Sequence, residues 1–206
     1  MVEWFLAYGT RNVIVIDNQS TYPPLLKYYA EMASRIDVRV QDSNLGPWGF
    51  WHAKAYHAQL PTPYMVTDAD LSPGFCPADV VQTMLEVLNE TGIKVGPSLR
   101  IDNLPEHYSK KNQVAQWESQ FWRDRYAASF PCWRAEIDTT LAMYPAFGNF
   151  RAKALRLDAP YSFEHAPWYV DESIPNEEDT FYRKHYDSDV CAGAVGWSMR
   201  PELGIA

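Results

Sequence analysis

Asp68 and Asp70 stand one residue apart at the end of a short apolar run, Tyr64-Met65-Val66. In extended backbone, residues two apart face the same side, so both carboxylates point together while Ala69 points away. Like charges held side by side repel, and covering them costs hydration. A divalent cation resolves both problems. Paired carboxylates with several waters commonly hold Mg²⁺ or Mn²⁺ against phosphate groups, and the ion neutralises a departing phosphate without a proton transfer. An Asp-x-Asp tripeptide by itself is as readily a loop of solvated acids, so the elements that must position it carry the weight.

Those elements alternate through the first half. Val2 to Tyr8 reads as the end of a helix stopped by Gly9. Val13-Ile14-Val15-Ile16 is a β-branched run expected of a buried strand, and it ends at Asp17-Asn18-Gln19-Ser20. Ser20 or Thr21 is placed to cap the next helix, with Pro23 in its first turn. Val38-Arg39-Val40 is a short strand, Asn44-Leu45-Gly46-Pro47 a loop, and Trp48 to Ala58 a second helix. The strand into the paired acids follows. Ala78 to Glu90 is amphipathic with Gly92 as its stop, and Ile93 to Leu99 is another strand. This rhythm predicts an α/β sandwich of Rossmann-like type, a mostly parallel central sheet with helices on both faces. Ligands of such sheets bind beyond the carboxyl ends of the strands, where Asp17, Asp68 and Asp70 all fall.

The second half reads differently. Asn112 to Tyr126 is a predicted helix. Arg134 to Tyr144 alternates like a strand, with Ile137, Thr139 and Leu141 on one face and Asp138, Thr140 and Ala142 on the other. Phe147-Gly148-Asn149-Phe150 is a turn, and Ser173 to Tyr186 carries Glu177-Glu178-Asp179 where acids suit a helix's first turn. No linker separates the halves. The expectation is one domain over residues 1–206, with a nucleotide- and metal-binding half (1–100) and an acceptor half (101–206).

Bulk properties exclude several classes. Of 206 residues, 47% are hydrophobic, which is globular composition, and the net charge of −8 disfavours nucleic acid as a partner. Cys76, Cys132 and Cys191 are odd in number and lack CxxC spacing. That argues against a disulfide scaffold or zinc site and for a reducing compartment, the cytoplasm. No apolar run approaches the ~20 residues of a membrane span, and MVEWFLAYG lacks the features of a signal peptide.

In order and spacing, Asp17-Asn18-Gln19-Ser20, Asn44-Leu45-Gly46 and Asp68-Ala69-Asp70 resemble the motifs of nucleotide-sugar-dependent glycosyltransferases of the GT-A fold, family 2-like. The likeness covers Val13 to Ser72 in motif and the rest in general architecture. That family places a strand and helix before the Val13 strand; this chain begins inside the expected helix, without the first strand. The resemblance implies a hexosyl transfer from a nucleoside-diphosphate sugar, most often a UDP-sugar, to an acceptor hydroxyl, with Mn²⁺ or Mg²⁺. It implies that Asp17 contacts the base or ribose and that Asn44 and Gly46 lie along the nucleotide. Asp68 would hold the ribose or the metal, and Asp70 the metal. A histidine of the C-terminal half completes the metal shell in several members; His165 is the candidate here, and an ordinary core or surface histidine is the alternative.

An inverting transfer needs a carboxylate base at the acceptor hydroxyl. Asp138 is the first candidate and Glu118 the second. Trp117, Trp122, Trp133 and Trp168 are candidate sugar-stacking rings, and Arg100 a candidate phosphate contact. Two other classes compete. A phosphatase would carry its Asp-x-Asp on the first strand, which this chain does not. A carbohydrate- or nucleotide-binding module of the same fold, weak or inactive as a catalyst, is the main alternative.

Overall fold

In the computed structural model, residues 1–52, 60–148, 151–171, 173–174 and 176–185 are described. The chain divides into two compact units. One is built on Met1–Ala55 and Glu172–Gly196, the other on Tyr56–Asp171. The division falls well before residue 100, so the second unit draws on both expected halves.

In the first unit, α1 (Val2–Tyr8) stops at Gly9, whose left-handed backbone (φ 96°) turns its N–H back onto the helix carbonyls. Strand β1 (Ile14–Asp17) leads through α2 (Pro23–Met32) to β2 (Asp37–Val40), and the two strands pair in parallel from Ile14↔Asp37 to Asp17↔Val40. The α2 cap differs from expectation. Tyr22 occupies the cap without a side-chain bond, and prolines fill the first helical positions. Proline has no N–H to satisfy there, so the missing cap costs little. A 3-10 turn at Gly46–Trp48 opens α3 (Gly49–His52); the remainder of the expected Trp48–Ala58 helix lies outside the described residues.

In the second unit, β3 (Tyr64–Val66), β4 (Leu71–Ser72), α4 (Val80–Thr91), β5 (Lys94–Leu99), α5 (Lys111–Ser119), β6 (Arg125–Tyr126), β7 (Cys132–Arg134), β8 (Ala142–Tyr144) and β9 (Ala154–His165) follow in order. They form one sheet in the order β3-β8-β5-β9-β7-β6, with β4 joined to β9. The sheet is mixed, which corrects the expectation of a mostly parallel one. Only β5 and β9 pair in parallel there; the other described pairings of this unit are antiparallel. β8 returns between β3 and β5, antiparallel to both, and β7 runs antiparallel to β9 and, across a short loop, to β6; a short loop between neighbouring strands allows only antiparallel pairing. The α/β class stands.

Three element readings change. The helix expected to Tyr126 ends at Ser119. The single strand expected over Arg134–Tyr144 is β7, an irregular segment Ala135–Leu141, and β8. The longest strand, β9, is not legible as one because Asp158-Ala159-Pro160-Tyr161 interrupts its pattern. Its pairing to β5 jumps from Pro97↔Leu157 to Ser98↔Ser162 across that bulge. The core is nonetheless built on β9: Leu155, Leu157 and Phe163 are buried with Val95 and Leu99 of β5 and with Val80, Met84 and Val87 of α4.

Returning to the first unit, α6 (Glu177–His185) carries its acids in the first turn, as expected. Asn176 caps it, accepting from the Asp179 N–H at 2.8 Å. No helix among the described residues is long and apolar enough to cross a membrane.

Gly96 marks where the irregular segment meets the sheet. A Cβ there would lie 2.1 Å from the Leu141 carbonyl oxygen. Gly96→Ala therefore forces backbone apart, and its expected cost is about 3 kcal/mol, at the upper end of ordinary overpacking. A urea titration against the native chain measures it; an unchanged midpoint would contradict the close approach.

Candidate functional site

The paired acids do not continue a strand. β3 ends at Val66, and Asp68-Ala69-Asp70 forms a turn before β4. Strand alternation therefore does not set the directions of the two carboxylates, a correction to the spacing argument. Thr67 Oγ1 donates to the Asp68 carbonyl at 2.9 Å. β4 then pairs with β9, Leu71 opposite His165 and Ser72 opposite Glu164. The Ala166 N–H donates to the Asp70 carbonyl at 2.8 Å. This register sets His165 Nε2 3.4 Å from Asp70 Oδ2, across 95 residues of chain (165 − 70).

Burial and charge shape the three groups differently. Burial pushes the Asp68 carboxyl up to about 7; the Thr139 hydrogen bond opposes this, and the Asp70 and Asp138 charges add to it. Burial lowers the pKa of His165, against the pull of Asp70 and Asp138, which favours neutral imidazole. Its ring lies 4.8 Å from that of Trp168, and its buried Nδ1 has no hydrogen-bond partner. Neutral imidazole and ionised carboxylate are the forms that ligate a cation.

No group of three or more His, Cys, Asp or Glu side chains among the described residues is placed to hold a metal ion. The site offers an edge instead: Asp70 and His165 in contact, and Asp68 with one oxygen bonded to Thr139 at 2.7 Å. Such an edge suits a hard cation that keeps waters and takes its remaining ligands from substrate phosphates. It does not suit a structural zinc centre, which closes on protein ligands.

The remaining candidates of this unit separate. Asp138 is exposed on the irregular segment and accepts from the Thr140 N–H at 3.2 Å. Its charge reaches both Asp68 and His165. Glu118 is committed elsewhere: buried on α5, it pairs with Arg156 at 2.7 Å, their side chains 6% and 5% exposed. That pairing, with both side chains buried, takes it out of the base role expected of it. Arg100 is held by Asp102 at 2.7 Å. Trp168 is core, Trp133 donates to Asp158 at 3.0 Å beneath the Arg125 guanidinium, and Trp117 is exposed.

In the first unit, the loops after β1 and β2 are tied together. Asp17 is buried, with one oxygen accepting the Ser20 N–H at 2.8 Å and the other the Tyr29 hydroxyl at 2.8 Å. Its carboxylate shapes the loop from within. Asn44 accepts the Gly46 N–H at 3.0 Å, and Gly46 takes a positive φ of 63° that favours glycine. Asn18 joins the loops, donating to the Gly46 carbonyl at 2.9 Å and accepting from the Leu45 N–H at 3.3 Å.

Sequence reasoning missed Thr139, Lys94 and Arg156. Thr139 sat on the apolar face with Ile137 and Leu141, and a buried hydroxyl needs a partner; that signal pointed to an acceptor but not to which one. The chain matches no protein-family model, no curated protein and no solved structure.

Two outcomes follow. The unfolded carboxyl of an aspartate has a pKa of ~3.9, and burial in the folded chain pushes that of Asp68 up to about 7. The folded chain therefore holds the extra proton in that window, and its stability falls as pH rises through it. Without divalent metal, the melting temperature of the native chain should drop more between pH 5 and 8 than that of Asp68→Asn; parallel profiles would refute the shift. Glu118→Gln leaves the Arg156 charge buried and unpaired, and should cost about 3–5 kcal/mol by denaturant titration.

Proposed function

We propose that this chain is a metal-dependent glycosyltransferase, moving a sugar from a nucleoside-diphosphate sugar, first of all a UDP-sugar, to an acceptor hydroxyl. The observation that carries the reading is the β4–β9 pairing, which sets His165 beside Asp70 in the turn that also holds Asp68. A divalent cation held there, Mn²⁺ or Mg²⁺, would supply positive charge to the diphosphate leaving group.

In this reading Asp70 and His165 would hold it, and Asp68, in the same turn, would add a carboxylate oxygen. Each is disposed to the role: His165 by burial that favours its neutral form, Asp68 by burial, with the Asp70 and Asp138 charges adding, that disfavours its ionised form until a cation offsets it. Asp138, exposed and close enough for its charge to be felt by both, takes the proton of the acceptor hydroxyl as the oxygen bonds the anomeric carbon and the diphosphate departs. Glu118 is withdrawn from that role by its pairing with Arg156.

The test is isothermal calorimetry with UDP, with and without Mn²⁺, on the native chain and on Asp70→Ala. UDP binding that requires Mn²⁺ and weakens at least tenfold in Asp70→Ala is the expected result. Indifference to UDP, GDP and other nucleoside diphosphates with metal present would overturn the reading.

A further inference from the structure

Thr139 is buried, and its hydroxyl donates to Asp68 Oδ2 at 2.7 Å, joining residues 71 apart in sequence. What surrounds it is unusually fixed for an irregular segment. Lys94 Nζ donates to the Ile137 carbonyl at 2.7 Å, and Arg156 Nε donates to the Glu136 carbonyl at 2.8 Å. On the far side, Asp138 accepts from the Thr140 N–H, and the Leu141 carbonyl rests against Gly96. Both flanks of Thr139 are held, so its hydroxyl meets Asp68 at a set position.

A carboxylate in a turn is free to rotate about its last torsion, which is broad and two-fold. The Thr139 bond removes that freedom by occupying Oδ2, and leaves Oδ1 as the oxygen available to a ligand. We infer that Thr139 is a positioning residue that presents Asp68 to the cation through Oδ1, held in place by the bonds of Lys94 and Arg156 to consecutive carbonyls. This rests on the metal reading given above. Groups that orient a metal ligand in this way change affinity by roughly 10–100-fold when removed.

The experiment measures Mn²⁺ alone, without nucleotide, on the full chain, by electron paramagnetic resonance of the free ion. Thr139→Val keeps the shape and removes the donor; Thr139→Ser keeps the donor. Binding about tenfold weaker in Thr139→Val and restored in Thr139→Ser is expected. If Thr139→Val does not fold, Thr139→Ser against Thr139→Ala carries the same comparison, since those two differ only in the hydroxyl. Equal Mn²⁺ affinity with and without the hydroxyl, in a chain that binds Mn²⁺ and loses it in Asp70→Ala, overturns the role of Thr139 alone. A native chain that holds no Mn²⁺ overturns it together with the proposed function.

Discussion

Lys94 and Arg156 enter the interior of the second unit from neighbouring strands. The parallel register places Lys94 opposite Ala154 and Gly96 opposite Arg156, so both long side chains rise from one face of the sheet. There they meet the segment Ala135–Leu141, which is buried in part and, beyond the Ala135 N–H bond to the Ala154 carbonyl, has no strand pairing among the described residues. Buried carbonyls without a ladder must find donors elsewhere. The two cations supply them at Glu136 and Ile137, and Gly96 gives the room for the segment to lie close.

Buried cations are themselves costly. Arg156 is compensated by Glu118 and by the face of the Phe121 ring, 4.2 Å away. Lys94 lies 5.1 Å from the centre of the Tyr144 ring. Burial draws its pKa down to about 8, while Asp138 and Glu136 hold it up and Arg156 adds to the fall. Near neutral pH it remains the charged donor that the Ile137 carbonyl needs. The irregular segment is thus fixed by charge-assisted bonds, and from that segment Thr139 reaches Asp68 while Asp138 faces out. The same sheet sets the other side of the site, because β9 carries Arg156 near its start and His165 at its end.

The first unit solves a simpler problem. Its loops after β1 and β2 are ordered by short side chains bonding nearby backbone: Asp17 to Ser20, Asn44 to Gly46, and Asn18 across the gap to Leu45 and Gly46. Asp and Asn compete well with regular structure for backbone partners, which is why these residue types recur in loops. Whatever these loops bind, their own amides and carboxylates already define their shape.

Much of this was legible in the sequence because it depends on local rules. Periodicity and glycine stops gave α1, α4 and the strands at Ile14 and Lys94, and the first-turn acids gave α6. Residue type and position in the strand–helix order singled out Asp68 and Asp70, and the resemblance to GT-A transferases pointed to His165. What the sequence could not decide was pairing. A strand interrupted by Asp158 to Tyr161 reads as loop until β5 is laid beside it, and only that long-range contact makes β9 a strand. Glu118 read as a candidate base because its partner lies 38 residues away. Thr139 looked like part of an apolar face because its acceptor lies 71 residues back. Local chemistry chose the residues; tertiary structure decided which of them meet, because hydrogen bonds and ion pairs are short-ranged in space and take no account of distance along the chain.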